Sequence, residues 1–298
     1  MLMNLGFPRK LLQVYRRSWA IKKSRSGHLP ARELAAAYRA VERAHLFKQS
    51  LGRDPGKHLP IFGWTFHFLD FDAFRFLFKE VFLNEDYFFE SETPNPHIID
   101  CGSNVGDTIL YFKRLYPECT ILGFEPHPPT LEVLKRNLAE NRVPGVTVKE
   151  VALAGGKTRT SLYAGPSDGG SLQVSLHPTF TADGAPSVVQ TGVLSEHIHG
   201  NVDFLKIDTE GSELWILSEL RDSGKIRNLS KMAIEYHHHV GDHDGLSALL
   251  LVLEGAGFGY HVKAGCGVGE YLSPHQQNIM VYAYRKGAGA VDATASLL

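Results

Sequence analysis

From residue 97 onward, short apolar runs alternate with amphipathic stretches of helical spacing: "HIID", "DTILYFKRLY", "TILGFE", "PTLEVLKRNLAEN", "VTVKEVAL", and later "VDFLKID", "SELWILSEL", "KMAIEY", "GLSALLLVLEGAG", "FGYHVK" and "NIMVYAY". Strand–helix alternation of this kind folds as a mostly parallel sheet covered on both faces. Ligands of such sheets sit beyond the carboxyl ends of the strands. The acids that close these strands, Asp100, Glu125, Asp208 and Glu235, are therefore the first residues to weigh as a site.

The chain upstream reads differently. Residues 1–57 form a basic helical extension, with 13 Lys/Arg against 3 Asp/Glu in a chain of net charge −1. Leu11, Leu12, Tyr15 and Trp19 recur at helical spacing, and "ARELAAAYRAVERAHLFKQSL" is rich in helix formers. Residues 58–95 are a lead-in: "IFGWTFHFLD" alternates as a strand, and Phe74, Leu77, Phe78 and Phe82 form a helical core stripe. Residues 96–285 are the main domain and 286–298 a frayed tail. The Gly-rich loops 164–187 and 264–276 are expected to face the substrate.

"IIDCGSNVG" places a glycine turn at the end of the first strand of the main domain. A dinucleotide site wants G-x-G-x-x-G there, so that a pyrophosphate can approach the backbone. Here Asn104 replaces the second glycine, Gly106 is displaced, and Asp100 opposes a phosphate dianion. These departures point to a nucleoside without phosphates that carries positive charge, as S-adenosylmethionine does. Glu125, 23 residues after Gly102, is placed to accept from both ribose hydroxyls. NAD sites also carry an acid about 20 residues on, so Glu125 alone does not separate the two cofactors.

"VDFLKIDTEGSELWIL" crowds Lys206, Asp208, Glu210 and Glu213 around a strand end and a helix start. Glu213 is read as a helix N-terminal acid matching the macrodipole, with Thr209 or Ser212 as cap. Asp208 is read as a site residue. In "MAIEYHHHVGDHD", one of Glu235, His237 or His238 is expected to act as a base or to touch substrate. Asp208 with His237 is a conceivable metal pair, but polar surface histidines are commoner, and no metal is expected.

"IIDCGSNVGDT", "GFEPHP", "LKRNLAEN", "VDFLKIDTEGSE" and "IEYHHH", taken in order, resemble the FkbM family of S-adenosylmethionine-dependent methyltransferases over roughly residues 58–285. The resemblance implies an α/β class I methyltransferase fold: a Rossmann-like seven-stranded sheet, mostly parallel with the last strand antiparallel. It also implies O-methylation of a sugar, glycan or natural-product hydroxyl. On this reading Asp100, Gly102, Ser103, Asn104 and Gly106 hold the methionine end of S-adenosyl-L-methionine, with Asp100 on its ammonium. Glu125 and Pro126 take the ribose side, and Ala152 and Leu153 flank the adenine. Asp208, Glu210 and His237 are the catalytic set, with His237 as an alternative base. The rival readings are a NAD-dependent oxidoreductase and a non-catalytic partner-binding protein that keeps the fold.

The basic extension is expected to pack on the acidic main domain or across a homodimer, or to meet a membrane surface. No specific nucleic-acid binding is expected. Three widely spaced cysteines, Cys101, Cys119 and Cys266, argue against a disulfide framework. With no apolar run near the ~20 residues needed to span a bilayer, a cytoplasmic protein, in peripheral contact with a membrane at most, is expected.

Overall fold

A computed structural model describes residues 6–23, 27–164, 174–175, 187–239, 245–264 and 276–286. Two helices open the chain, α1 (Gly6–Lys23) and α2 (Ala31–Leu51). A hairpin of β1 (His58–Ile61) and β2 (Trp64–His67) follows. Both of its turn residues, Phe62 and Gly63, have positive φ, as a two-residue hairpin turn demands. Next comes α3 (Phe71–Leu77), capped by Asp70, whose Oδ1 accepts from the Ala73 N–H at 2.8 Å. The helical stripe expected through Phe82 is not one α-helix. Its second half, Phe78–Leu83, is π-helical, yet Phe74, Phe78 and Phe82 are all buried. Leu77, expected in that stripe, faces a cavity.

The main sheet is built from β3 (His97–Cys101), β4 (Thr120–Phe124), β5 (Val146–Lys149), β10 (Val202–Ile207), β11 (Leu229–His239), β12 (Phe258–Ala264) and β13 (Gln276–Arg285). Its order is β12-β13-β11-β10-β3-β4-β5, with β13 antiparallel to both neighbours and every other adjacent pair parallel. This is the class I methyltransferase arrangement. A smaller sheet of β6 (Ala152–Leu153), β7 (Arg159–Ala164), β8 (Val174–Ser175) and β9 (Ser187–Gly192) lies beside it in sequence. The helices of this part are α4 (Asp107–Leu115), α5 (Pro128–Glu140), α6 (Glu213–Asp222) and α7 (Leu246–Gly255).

Strand alternation sends successive side chains to opposite faces. Ile98, Phe204 and Ala233 join a core with Ile109 and Phe112 of α4, the phenylalanines of the lead-in, and Leu34, Tyr38 and Val41 of α2. Ile99, Leu205 and Ile234 join a second core with Ile216 and Leu220 of α6 and Leu249 and Leu253 of α7. The first core is rich in rings: Phe89 stacks on Phe204 at 4.2 Å and Phe68 on Phe74 at 4.7 Å.

In α1 the periodic stripe divides. Val14 and Ser18 are buried, and the Ser18 hydroxyl donates to the Ala35 carbonyl of α2 at 3.0 Å. Of the row expected from spacing, Leu11 packs on the core, whereas Leu12, Tyr15 and Trp19 are 52%, 46% and 59% exposed and point outward. The loops 164–187 and 264–276, apart from their end residues and β8, and the tail after Lys286 lie outside the described residues, as do Cys266 and the side chains of His238 and His239.

Candidate active site

Register aligns the site. Cys101 pairs with Ile207 on one side and Phe124 on the other, and Ile207 pairs with Ile234. Gly102, Glu125, Asp208 and Glu235 each follow one of these positions, so four chain segments deliver them to one edge. They line one cavity of about 550 Å³.

The glycine turn needs its glycines. Gly102 has φ +82°, and a Cβ there would lie 1.8 Å from the Asp208 carbonyl oxygen. No side chain fits between these strand ends. Asn104 has φ 45° and its Oδ1 accepts from the Val105 N–H at 2.7 Å, a local bond that favours this left-handed conformation. Glu125 is 6% exposed, and its two oxygens accept from the backbone N–H groups of Asn104 and His127, each at 2.9 Å. Each oxygen keeps further acceptor capacity. Burial pushes its pKa up to about 7, against the pull of the two donors.

Asp100, Ser103 and Gly106 do not line this cavity. Asp100 is fully buried; it accepts from the Thr108 hydroxyl at 2.6 Å and lies 3.3 Å from the Lys206 ammonium. Burial raises its pKa, and Lys206 and Thr108 oppose that shift. The contact with a cofactor ammonium expected of Asp100 is thus replaced by one with Lys206. Ser103 donates to the Asp100 carbonyl at 3.0 Å behind the turn. Lys206, 1% exposed, also donates to the Gly102 carbonyl at 2.5 Å and lies 3.3 Å from Asp208. Burial alone would lower its pKa, but Asp100 and Asp208 outweigh that and keep it charged. One buried ammonium therefore ties the glycine turn to the next strand end.

The cavity lining is also acidic. Asp208, Glu210 and Glu235 contribute to it, joined by Glu80 of the π-helical stretch and by Asn278. The Tyr87 hydroxyl donates to Glu235 at 2.6 Å, the shorter of its two contacts, and lies 3.2 Å from Asp208. Asn278 Nδ2 donates to Glu235 Oε1 at 2.6 Å. Burial raises the pKa of Glu80 and of Glu210 to about 8, with neighbouring carboxylates adding to the shift. Glu80, Tyr87 and Asn278 were not legible as site residues, because Glu80 and Asn278 reach the cavity, and Tyr87 reaches Glu235, from remote segments.

His237, the alternative base expected from the sequence, is packed among carboxyl groups. Its side chain is 1% exposed; Nδ1 lies 3.0 Å from Glu213 Oε1, and Nε2 lies 3.3 Å from Glu210 and 3.8 Å from Asp208. Burial would lower its pKa, but Glu213 and Glu210 raise it well above the usual value. Carboxyl groups lie beside both ring nitrogens, so both are engaged within the protein. Glu213, read as a helix-start acid, is the first residue of α6 and 1% exposed. It also accepts from the N–H groups of Thr209 and Gly211, at 3.2 and 2.9 Å. Ser212 occupies the N-cap without a side-chain capping bond.

A cavity at the carboxyl ends of a mostly parallel sheet, lined by a glycine turn and by acids from three strand ends, suits a methyltransferase. A model of the Methyltransferase FkbM domain matches residues 100–261. The chain belongs to the FkbM methyltransferase family. Methyltransferase sdnD of Sordaria araneosa is 30% identical over 175 residues, 48% of this chain and 67% of that protein. Methyltransferase 1 of Beauveria bassiana (strain ARSEF 2860) is 30% identical over 168 residues, 50% of this chain and 68% of that protein. A solved structure, TYW2 of M. jannaschii in complex with AdoMet, is similar at TM-score 0.40 and 13% identity, over 77% of this chain and 86% of that one.

As an FkbM methyltransferase, the chain takes its methyl group from S-adenosylmethionine. Its residues fit that donor: the turn leaves room for backbone approach, and Glu125 has acceptor capacity for a ribose diol. The dehydrogenase alternative falls with the family assignment. Among the described residues, no helix is long and apolar enough to cross a membrane.

Proposed function

We propose that this FkbM methyltransferase transfers its methyl group to a hydroxyl oxygen of a small polyhydroxylated acceptor, a sugar, glycan or hydroxylated natural product. One observation carries the reading. Asp208, Glu210 and Glu235 line the same cavity as Gly102, Asn104 and Glu125, so hydrogen-bond acceptors share one space with the proposed methyl-donor residues. Hydroxyls donate to such acceptors.

S-adenosylmethionine supplies an electrophilic methyl on sulfur, which leaves as a neutral thioether with the bond's electron pair. The chain's own residues do the rest. Glu125 fixes the ribose side, and Ala152 and Leu153, both buried, form an apolar side for the base ring. Glu235, held by Tyr87 and Asn278, takes the acceptor's proton as the oxygen attacks. Asp208 and Glu210 align the acceptor, and alignment is most of what an in-line transfer needs. Methyl-labelled donor incubated with a panel of sugars, phenols and amines tests this. Label on oxygen is expected; label only on nitrogen or carbon would contradict it.

For α1 we infer contact with an anionic membrane surface. The exposed row Leu12, Tyr15 and Trp19 lies among Arg9, Lys10, Arg16, Arg17, Lys22 and Lys23, with no acid in the helix. Flotation with phosphatidylserine vesicles should carry the full chain. Leu12→Ser with Trp19→Ser should reduce it, and equal flotation of the two proteins would refute the contact.

A further inference from the structure

The acidic wall contains a second kind of order. Asp208, Glu210 and His237 each offer one ligand atom, and the three atoms lie within 4.8 Å of one another. His237 Nε2 is 3.3 Å from Glu210 Oε2 and 3.8 Å from Asp208 Oδ1. A hard divalent cation with bonds of ~2.1 Å at octahedral angles needs ligand atoms roughly 3 Å apart. The Glu210–His237 separation is already close to that spacing.

A separate feature shows that Nε2 is the atom presented. Glu213 lies outside the trio and is seated by the Thr209 and Gly211 N–H groups; it takes the Nδ1 side of the ring at 3.0 Å. Metal-bound histidines are held in this way, with a carboxylate on the far nitrogen fixing both tautomer and ring plane. The histidine is buried, while Asp208 and Glu210 line the cavity. A cation among the three would therefore keep open positions toward the acceptor. Four carboxyl groups, Glu80, Asp208, Glu210 and Glu235, line this one cavity and offer oxygen donors.

We propose that Asp208, Glu210 and His237 bind one divalent cation of the manganese or magnesium type, whose open positions take acceptor oxygens. Two carboxylates and one imidazole, with no thiolate, suit such an ion; Cys101 and Cys119 are both buried elsewhere in the cores. The ion replaces the proton on Nε2. It lowers the pKa of a bound hydroxyl, which eases proton transfer to Glu235.

The acceptor's place on the cation rests on the O-methyl reading, whereas the cation site does not. The full-length protein is titrated with Mn²⁺ and followed by electron paramagnetic resonance, without donor or acceptor. One Mn²⁺ per chain is expected, with a histidine-nitrogen coupling in the pulsed spectrum that His237→Gln removes. Asp208→Asn and Glu210→Gln should each weaken binding by at least ~10-fold, and Glu213→Gln by about 10- to 100-fold. Thermal unfolding checks that each variant is folded. Absence of stoichiometric binding at millimolar Mn²⁺, or binding without nitrogen coupling that survives Asp208→Asn and Glu210→Gln, would overturn the site. A methyl found on nitrogen would sink the O-methyl reading and leave the cation site standing.

Discussion

The two sides of the cavity are built on different principles. The donor side is mostly backbone: a glycine turn with no room for a Cβ at Gly102, and one buried carboxylate held by two amide N–H groups. The acceptor side is mostly charge: Glu80, Asp208, Glu210 and Glu235, with Tyr87, Asn278, His237 and Lys206 among them. A backbone cradle suits a ligand of constant shape. A charged wall can be refitted by changing single side chains, and it loses rate rather than donor affinity when altered. Lys206 links the two through Gly102, Asp100 and Asp208.

That contrast is open to direct attack, and Glu235→Gln should have the largest effect. It removes the proton acceptor while keeping shape, so kcat should fall by roughly 10²- to 10⁴-fold. Affinity for S-adenosylhomocysteine, read by calorimetry, should stay within about twofold. Equal losses in both would mean that the two sides are not separable.

Gly102→Ala should damage both sides at once. Its Cβ would collide with the Asp208 carbonyl, and its φ is left-handed. Overpacking and strain together cost roughly 3 kcal/mol. The expected result is a lowered Tm along with weakened donor binding, and an unchanged Tm would contradict the close approach.

Glu125→Ala should be the mirror image of Glu235→Gln. Loss of charged hydrogen bonds to the ribose should weaken S-adenosylhomocysteine by roughly 10- to 100-fold, with kcat at saturating donor nearly preserved. Unchanged affinity would remove Glu125 from the donor side.

The smallest effect is one of pH. Glu125 is a carboxyl raised to about 7 by burial, so it gains a proton as pH falls through 7. The neutral acid accepts less well from a ribose diol. Donor-side affinity should therefore drop by about tenfold between pH 8 and pH 6, and Glu125→Gln should flatten that profile. A slope that survives Glu125→Gln would assign the titration to another group.

Much of the donor side was legible in the sequence, because its determinants are local. A strand, a glycine turn and a carboxylate one strand later are written in "IIDCGSNVG" and "GFEP", and parallel register brings them together. For Asp100, spacing gives the strand end, and only packing shows it buried against Lys206. The acceptor side was half legible. Asp208 and Glu210 follow from the strand end, whereas Tyr87 meets Glu235 across 148 residues and Asn278 across 43. No periodicity encodes such meetings. His237 was found, but its partner Glu213 was read from spacing only as a helix-start acid. The row Leu12, Tyr15 and Trp19 shows the same limit: spacing identified the helix but not which face α2 would cover.

The central claim is that donor and acceptor occupy opposite sides of one cavity. A crystal structure with S-adenosylhomocysteine tests it most directly. The account predicts both ribose hydroxyls within hydrogen-bonding distance of Glu125, and the sulfur opening toward Asp208, Glu210 and Glu235. A ribose held away from Glu125, or a sulfur turned from that wall, would contradict it.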